Sequence, residues 1–283
     1  MTDRVPPVTL VIGAVASVQI GSALAKTVFD EVGPGGTVML RTLLAAVILA
    51  LLWRPEVRGR SREEWVLVVA FGAALAGMNY AFYAALDRIP LGVAVTFEFV
   101  GPLGVAVFGS RRPLDLVWVV LAGAGILLLA DPGGGFDGVG VALALLAGAF
   151  WAAYILVSAR MGQAIPGQSG LALAMVVAAA LVLPAGIVEG GTELLDPAVL
   201  GIGLGVAILS SAIPYSLEFE ALRRLPAGVF GVLMSLEPAM AALAGFVVLG
   251  EVLHARELTA IGLVVVASAG AARGATGGPP VRD

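Results

Sequence analysis

The chain has 283 residues, of which 59% are hydrophobic and only 13% are charged, and its formal net charge is −4. About a quarter of the residues in a typical soluble domain are charged, so this chain cannot cover a soluble globule of its size with polar surface. The composition excludes an ordinary soluble enzyme, a disordered chain and a nucleic-acid-binding protein. The absence of cysteine also excludes disulfides and thiolate chemistry.

Apolar stretches follow one another along almost the whole chain. A membrane-spanning helix needs about 20 predominantly apolar residues, whereas a transmembrane β-strand is a segment of about 10 residues with alternating hydrophobicity. The stretches are continuous, so they predict an all-α integral membrane protein with ten spans, at residues 8–29, 37–53, 65–86, 91–109, 114–130, 139–159, 169–188, 198–222, 228–249 and 257–272. Two glycine-rich stretches between spans, residues 33–36 and 131–135, predict turns outside the membrane.

The arginines predict which ends of the helices face the cytoplasm. The 16 basic residues are 15 arginines and one lysine, Lys26. If the N-terminus is inside, twelve arginines fall on the cytoplasmic side, whereas only Arg88 and Arg256 fall outside and Arg41 lies within a span. Because the cytoplasmic loops of membrane proteins are enriched in Lys and Arg, we expect both termini to be cytoplasmic.

The sequence contains an internal repeat. Residues 85–93 match residues 221–229 at six of nine positions, and the same offset of 136 aligns Pro102 with Pro238. The match predicts a duplication in which each half contains five spans.

An odd number of spans per half inverts the second half relative to the membrane. We expect a first repeat at residues 1–135, a second at 136–273 and a cytoplasmic tail at 274–283. Inverted repeats are typical of secondary transporters, whose substrate site lies near the membrane midplane between the repeats. The alternative is a membrane scaffold that arose by duplication.

Two glutamates lie deep in predicted spans. Glu98 is seven residues into the fourth span from outside, and Glu237 is nine residues into the ninth span from inside. At about 1.5 Å per residue, both lie near the middle of a core about 30 Å thick. Ionisable residues at this depth are costly and often functional, so each is a candidate for binding a substrate ammonium group or carrying a coupling proton. The alternative is a protonated glutamate that is hydrogen-bonded within the bundle.

Prolines follow both glutamates. Pro102 and Pro238 each lack a backbone N–H, so we expect each to kink its helix and free a carbonyl near the carboxylate. A freed carbonyl beside each of the two carboxylates predicts a polar pocket.

Two basic residues lie near the outer ends of predicted spans, Lys26 in the first and Arg41 in the second. Long basic side chains at this depth can extend to the interface. They can also attract a substrate carboxylate in an outer vestibule, and the sequence leaves both interpretations open.

Four further residues are predicted to line a cavity: Asn79, Tyr83, Trp151 and Tyr154. Positions 151 and 154 share one helix face, where aromatic rings can contact an ammonium group. Packing within the bundle is the alternative for these rings.

No cofactor or metal site is predicted. The sequence has no G-x-x-x-x-G-K-[ST] phosphate loop, a single histidine and no nucleophile–base constellation. We therefore expect neither an enzyme nor an ATP-driven pump.

Several motifs match a known family. They are L-A-K at 24–26, G-M-N-Y at 77–80, E-F-V-G-P-L at 98–103, S-R-R-P at 110–113, A-I-L-S at 207–210, P-Y-S-L-E at 214–218 and L-M-S-L-E-P-A at 233–239. With these motifs the chain resembles the EamA-type carriers of the drug/metabolite transporter superfamily, and more narrowly its bacterial threonine/homoserine exporters. The resemblance covers almost the whole chain. It implies a bacterial inner-membrane carrier that exports small neutral amino acids by alternating access, driven by the proton gradient.

The partners implied are an amino acid, protons and the lipid bilayer, and no nucleic acid. A homodimer is left open. Two alternatives also stay open: an exporter of other metabolites or drugs from the same superfamily, and a scaffold or receptor that transports nothing.

Overall fold

The prediction of an all-helical chain is confirmed for the residues that the structure describes. The structure, a computed structural model, describes residues 5–108, 114–129, 136–165, 168–222 and 233–275. These ranges contain α1 (Pro7–Lys26), α2 (Phe29–Trp53), α3 (Arg62–Leu86), α4 (Leu91–Glu98), α5 (Val100–Phe108), α6 (Leu114–Leu129), α7 (Gly138–Ala164), α8 (Ser169–Gly190), α9 (Pro197–Ala207), α10 (Ile213–Leu222), α11 (Glu237–Ala244) and α12 (Ala255–Ala275).

Several predicted spans consist of a helix with an interruption. Phe99 alone separates α4 from α5, and a π-helical segment, Ile208–Ala212, joins α9 to α10. A second π-helical segment, Gly245–Leu249, extends α11. Interruptions of this kind are frequent at functional sites because they change the direction of side chains and free backbone groups.

Five of the described helices are long and apolar enough to cross a membrane. They are α1, α2, α3, α7 and α8. The last is counted together with the 3₁₀-helical segment Gly191–Leu195 that follows it. Shorter apolar helices cover Leu91–Val105, Val117–Leu128, Pro197–Ala212 and Glu237–Leu249. The prediction of apolar helices therefore agrees with the structure, and the interruptions explain why some predicted spans divide into shorter pieces.

The predicted turn at residues 33–36 is wrong for most of its length. Only Gly33 leaves the helical conformation, with φ 68° and ψ 167°, which a glycine adopts without steric cost. Helical structure resumes at Pro34, and Gly35 and Gly36 are buried. A proline suits the first turn of a helix because its missing N–H has no partner there. The other predicted turn, 131–135, lies outside the described residues, as do Arg4, Arg111, Arg112, Arg223, Arg224 and Arg282.

The helices pack in pairs that join the two halves of the chain. The main contacts are between α2 and α8, α3 and α7, α6 and α12, α1 and α10, and α4 and α11. A continuous apolar core lies mainly between α2, α3, α4 and α8, and Tyr83 and Phe97 are among its largest fully buried side chains.

One close approach brings α4 and α5 against α7. A Cβ atom at Gly101 would overlap the carbonyl of Gly148, and a Cβ atom at Gly148 would crowd the carbonyl of Glu98. Two glycines therefore allow backbone contact next to Glu98.

Candidate functional site

A cavity of about 570 Å³ lies inside the bundle. This volume falls within the range of about 300–1,000 Å³ that is usual for small-molecule sites. The lining residues come from α1, α2, α3, α4, α5, α7, α10 and α12, the π-helical segment before α10, and the residues around the start of α11. Both halves of the chain contribute to it.

The cavity brings together most of the residues predicted from the sequence. Arg41, Asn79, Glu98, Pro102, Trp151, Tyr154 and Glu237 all line it. Lys26, Tyr83 and Pro238 do not.

Arg41 is buried, with 8% of its surface exposed. Its Nη1 donates to Asn79 Oδ1 and, at 3.5 Å, to the Tyr83 hydroxyl, and its Nη2 donates to the Ser210 carbonyl at 3.1 Å. The interpretation in which Arg41 extends to the membrane interface is therefore wrong, because α2 directs this side chain into the bundle.

The described acceptors around Arg41 are all neutral. A guanidinium group has five N–H donors, and the Nε donor and one Nη2 donor have no acceptor among the described residues. No ion pair joins Arg41 to a carboxylate in that part of the chain. The cavity wall therefore presents a positive charge and free donors that suit an anionic group.

Two side chains hold Arg41 in place. Asn79 Nδ2 donates to the Leu75 carbonyl at 2.8 Å, which leaves its Oδ1 directed at Arg41. Tyr83 is fully buried, and its ring lies 5.5 Å from the Arg41 guanidinium carbon. The prediction that Tyr83 lines the cavity is thus corrected: it supports Arg41 from behind, packed against Phe29 and Phe82.

Three carboxylates lie on the cavity wall: Glu98, Glu218 and Glu237. Glu98 and Glu237 are each 7% exposed. None of the three forms an ion pair with a described residue. Within the described part of the chain, the cavity therefore contains acidic groups without ion-pair partners and a cation without a carboxylate partner.

The helix interruptions lie near the two prolines. Phe99 separates α4 from α5 three residues before Pro102, and α11 begins one residue before Pro238, after a turn at Ser235 and Leu236. Glu98 and Glu237 both stand at these interruptions, Glu98 as the last residue of α4 and Glu237 as the first residue of α11.

Three residues of the cavity wall each have a buried polar side-chain atom without a hydrogen-bond partner among the residues that the structure describes. The atoms are Gln19 Oε1, Ser210 Oγ and Ser268 Oγ, and each residue is at most 5% exposed. Buried polar atoms are normally paired, so these atoms mark positions where a ligand or water completes the hydrogen bonding.

Aromatic rings form part of the wall. Trp151 packs edge-on against Phe99 with ring centroids 5.4 Å apart, and Tyr154 stacks on Phe71 at 4.8 Å. The helix face shared by positions 151 and 154 lines the cavity.

Lys26 lies outside the cavity in a cluster of its own. Its Nζ donates to Glu251 Oε1 at 2.7 Å and to the Ile89 carbonyl at 3.3 Å. Glu251 Oε2 accepts from Leu91 N, the first amide of α4, at 2.9 Å. This cluster, called here the Lys26 clasp, links the end of α1, the start of α4 and the loop before α12.

Sequence reasoning did not single out Glu251, Ser210 or Ser268. Glu251 carried a usable signal, because the predicted topology puts it on the same side of the membrane as Lys26. The serines gave none, since serine is common in membrane helices and only packing shows which hydroxyl lacks a partner.

Comparison with known proteins places the chain among transporters. The model of the EamA-like transporter family matches residues 5–130 and 138–272. The chain is 45% identical to the threonine/homoserine exporter RhtA of Escherichia coli (strain K12), over 93% of this chain and 90% of that protein. It is 43% identical over the same shares to the exporter of that name from Salmonella typhimurium (strain LT2).

A more distant relative and a solved structure agree with this result. The chain is 29% identical to the uncharacterized transporter YwfM of Bacillus subtilis (strain 168), over 80% of each chain. One solved crystal structure superposes with a TM-score of 0.65 at 20% identity and covers 93% of this chain and 96% of the other. At that identity the superposition shows the fold alone. The family match and the close relatives together show that the chain is a member of the EamA-like transporter family.

Proposed function

We propose that the protein exports threonine- or homoserine-like amino acids across the bacterial inner membrane. The observation that carries the proposal is the charge distribution of the cavity, where a guanidinium and carboxylates line one space without forming ion pairs with described residues. An α-amino acid carries a carboxylate and an ammonium group, so its two charges match the two kinds of group. The names of the relatives from Escherichia coli and Salmonella typhimurium support the same substrate class.

Arg41 binds the substrate carboxylate in this proposal. Its Nε donor and its remaining Nη2 donor have no acceptor among the described residues, and a guanidinium group can pair with a carboxylate through two parallel hydrogen bonds. Asn79 and Tyr83 fix its orientation, so the fork is preorganised and little entropy is lost on binding.

Glu98 and Glu237 bind the ammonium group or carry the coupling proton. Like charges close together in a low-dielectric site do not all ionise at once, so either protons or a substrate ammonium group can neutralise the acidic wall of Glu98, Glu218 and Glu237. A substrate ammonium group favours the ionised carboxylates and releases those protons. Binding of substrate and binding of protons thereby compete, which is the basis of proton-coupled exchange.

The architecture in this proposal is ten transmembrane helices in two inverted repeats, with both termini cytoplasmic. The helix pairs support it, since α2 with α8, α6 with α12 and α4 with α11 each join counterpart positions of the two halves. The two ranges matched by the family model support it too.

Alternating access requires a closure that breaks on one side of the cavity. The Lys26 clasp meets this need at the outer side, because it ties α1 and α4 of the first half to the loop before α12 in the second. Lys26 and Glu251 are 25% and 16% exposed at their side chains, so water reaches the pair and helps it to separate.

Flux measurements test the proposal. Purified protein is reconstituted in vesicles, and labelled threonine flux is measured with and without a pH gradient. We expect wild-type flux to respond to the gradient, and Glu98→Gln and Glu237→Gln to abolish that response. Glu193→Gln is the matched control, because Glu193 is an exposed carboxylate outside the cavity.

Three results contradict the proposal. Wild-type rates and pH response in both cavity variants would rule out the coupling role of these glutamates. Absence of flux for threonine, homoserine and a panel of metabolites and drugs would favour the scaffold or receptor, whereas flux of another compound alone would reassign the substrate.

A further inference from the structure

The cavity has a polar wall beside Arg41 that the carboxylate and ammonium groups of a substrate do not use. It consists of Gln19 on α1 and Ser210 in the π-helical segment, each 2% exposed. Both residues line the cavity, and Gln19 Oε1 and Ser210 Oγ are buried atoms without hydrogen-bond partners among the described residues. Leaving two such atoms without hydrogen bonds destabilises the empty protein. We therefore expect a group of the ligand to form hydrogen bonds with them.

Ser210 is fixed relative to Arg41 by its own backbone. Its carbonyl accepts from Arg41 Nη2 at 3.1 Å. The transition from α-helix to π-helix shifts the hydrogen-bond register and makes a carbonyl available for such a contact. The Ser210 hydroxyl therefore belongs to the residue whose carbonyl contacts Arg41, the side chain proposed to bind the substrate carboxylate.

The same hydroxyl lies against α1. A Cβ atom at Gly21 would overlap Ser210 Oγ, so the absence of a side chain at Gly21 creates the space that this hydroxyl occupies. Gln19 is two residues earlier on the same helix. Gln19 and Ser210 therefore both lie where α1 packs against the π-helical segment.

The chemistry of this wall suits a hydroxyl group close to a carboxylate. In threonine and homoserine the hydroxyl is attached two or three carbon atoms away from the carboxylate carbon. A carbonyl oxygen such as Gln19 Oε1 only accepts a hydrogen bond, whereas a serine hydroxyl both donates and accepts. A substrate hydroxyl can therefore donate to Gln19 and accept from Ser210.

We infer that Gln19 and Ser210 recognise the side-chain hydroxyl of the transported amino acid and make the carrier select hydroxylated substrates over aliphatic ones of the same shape. The inference rests on the proposed function. An aliphatic isostere leaves both buried atoms unpaired, and sites built to bind a hydroxyl reject such analogues far more strongly than apolar pockets reject a changed methylene group.

Two isosteric pairs measure this selectivity. Valine has the shape of threonine with a methyl group in place of the hydroxyl, and norvaline corresponds in the same way to homoserine. Initial rates for all four labelled amino acids are measured in vesicles containing the full chain. We expect the wild-type protein to prefer each hydroxylated member by at least about tenfold. Gln19→Leu and Ser210→Ala should each reduce that ratio about fivefold or more, mainly by slowing transport of the hydroxylated member.

Ser17→Ala is the matched control. Ser17 is also a buried residue of α1, but its hydroxyl already donates to the Leu209 carbonyl at 2.6 Å, and it does not line the cavity. Its removal should leave both ratios unchanged. Gln19→Met, which keeps the length of the side chain, and thermal-shift titration with threonine and valine provide the same comparison if Gln19→Leu does not fold.

The outcomes separate the inference from the proposed function. Equal wild-type rates for threonine and valine would overturn the inference and leave an amino-acid exporter intact. The inference is also overturned if Ser268→Ala abolishes the selectivity while Gln19→Leu and Ser210→Ala preserve it. No flux of any of the four amino acids would overturn the proposed function, and the inference with it.

Discussion

Two cations of the described helical bundle, Lys26 and Arg41, stand in opposite surroundings. Lys26 has a carboxylate partner at 2.7 Å and a backbone carbonyl, and it lies outside the cavity. Arg41 lies in the cavity wall and has only neutral acceptors among the described residues. Both side chains are long and basic, and both lie in predicted spans, yet of the two only Arg41 offers an uncompensated charge to a ligand.

This difference relates the surroundings of a cation in the bundle to its function. A cation that is paired and hydrogen-bonded within the protein holds elements together, and breaking the pair frees those elements to move. A cation that is rigidly held but lacks an anion costs stability. Such a cost is typical of a binding site, because the ligand supplies the missing charge.

The largest expected effect is on Arg41. Replacing Arg41 with Gln removes two charge-assisted hydrogen bonds to the substrate carboxylate, so threonine affinity should fall about 100-fold. Arg41→Lys keeps the charge without the fork, so its affinity should lie between those of wild type and Arg41→Gln. Affinity is measured by titration calorimetry, with Lys26→Met as the comparison. A loss in Lys26→Met as large as in Arg41→Gln would contradict the distinction between the two cations.

A smaller effect is expected from opening the Lys26 clasp. The chain has no cysteine, so a Ser22→Cys protein has a single thiol on the cavity wall. Adding Glu251→Gln or Lys26→Met should increase its labelling by a membrane-impermeant thiol reagent from outside about fivefold, because loss of the ion pair favours the outward-open state. Glu193→Gln should leave labelling unchanged. Unchanged labelling in both clasp variants would show that the clasp does not control access.

Substitutions at two glycines distinguish the role of the clasp from that of the binding site more directly than the charge substitutions do. A Cβ atom at Gly245 would overlap Glu251 Oε2, whereas a Cβ atom at Gly21 would overlap Ser210 Oγ. Gly245→Ala should therefore increase labelling of Ser22→Cys about twofold, since it displaces Glu251 without changing a charge. Gly21→Ala should instead lower the threonine-to-valine ratio and leave labelling as it was. If Gly245→Ala lowered the threonine-to-valine ratio and Gly21→Ala increased labelling, the assignment of Glu251 to the clasp and of Ser210 to the binding site would be contradicted.

The smallest effect concerns an exposed ion pair in the loops near the clasp. Arg88 Nη1 donates to Asp137 Oδ2 at 3.3 Å, with side chains 42% and 40% exposed. Hydrogen bonds from the Gly140 and Val139 amides, together with Arg88, lower the pKa of Asp137 below its ordinary value. A lowered pKa stabilises the folded state above the ordinary pKa, and the contribution is lost as the pH falls through the folded value.

Asp137→Asn tests that contribution by thermal unfolding in detergent. We expect a slightly lower Tm than wild type at pH 7 and a smaller difference at pH 3, where the stabilisation by the ionised carboxylate is being lost. A difference that grows on acidification would contradict the direction of the pKa shift.

Some features of the site were predictable from the sequence because they depend on distance along one helix. Glu98 and Glu237 were expected at similar depth from helix rise alone, and the structure brings both to one cavity. The shared face of Trp151 and Tyr154 also follows from helical periodicity, and that face lines the cavity.

Other features were not predictable because they depend on how helices are rotated and paired. Helix rise gives the depth of Arg41 but not whether its side chain is directed at lipid or at Asn79. The partner of Lys26 is Glu251, 225 residues away in the chain. The helical structure at Gly35 and Gly36 depends on α8, where Glu189 Oε2 accepts from Gly35 N at 2.7 Å.

The sequence by itself determined that this chain is a bundle of apolar helices with acidic residues buried inside it. Helices and closed β-barrels both satisfy their backbone polar groups in lipid, and continuous apolar runs of about 20 residues, without the alternation of barrel strands, indicate helices. The tertiary structure decided which cation lacks a carboxylate and which hydroxyl lacks a partner among the described residues. Hydrogen bonds and ion pairs form over a few ångströms between helices that are far apart in the chain, so only the packed bundle fixes them.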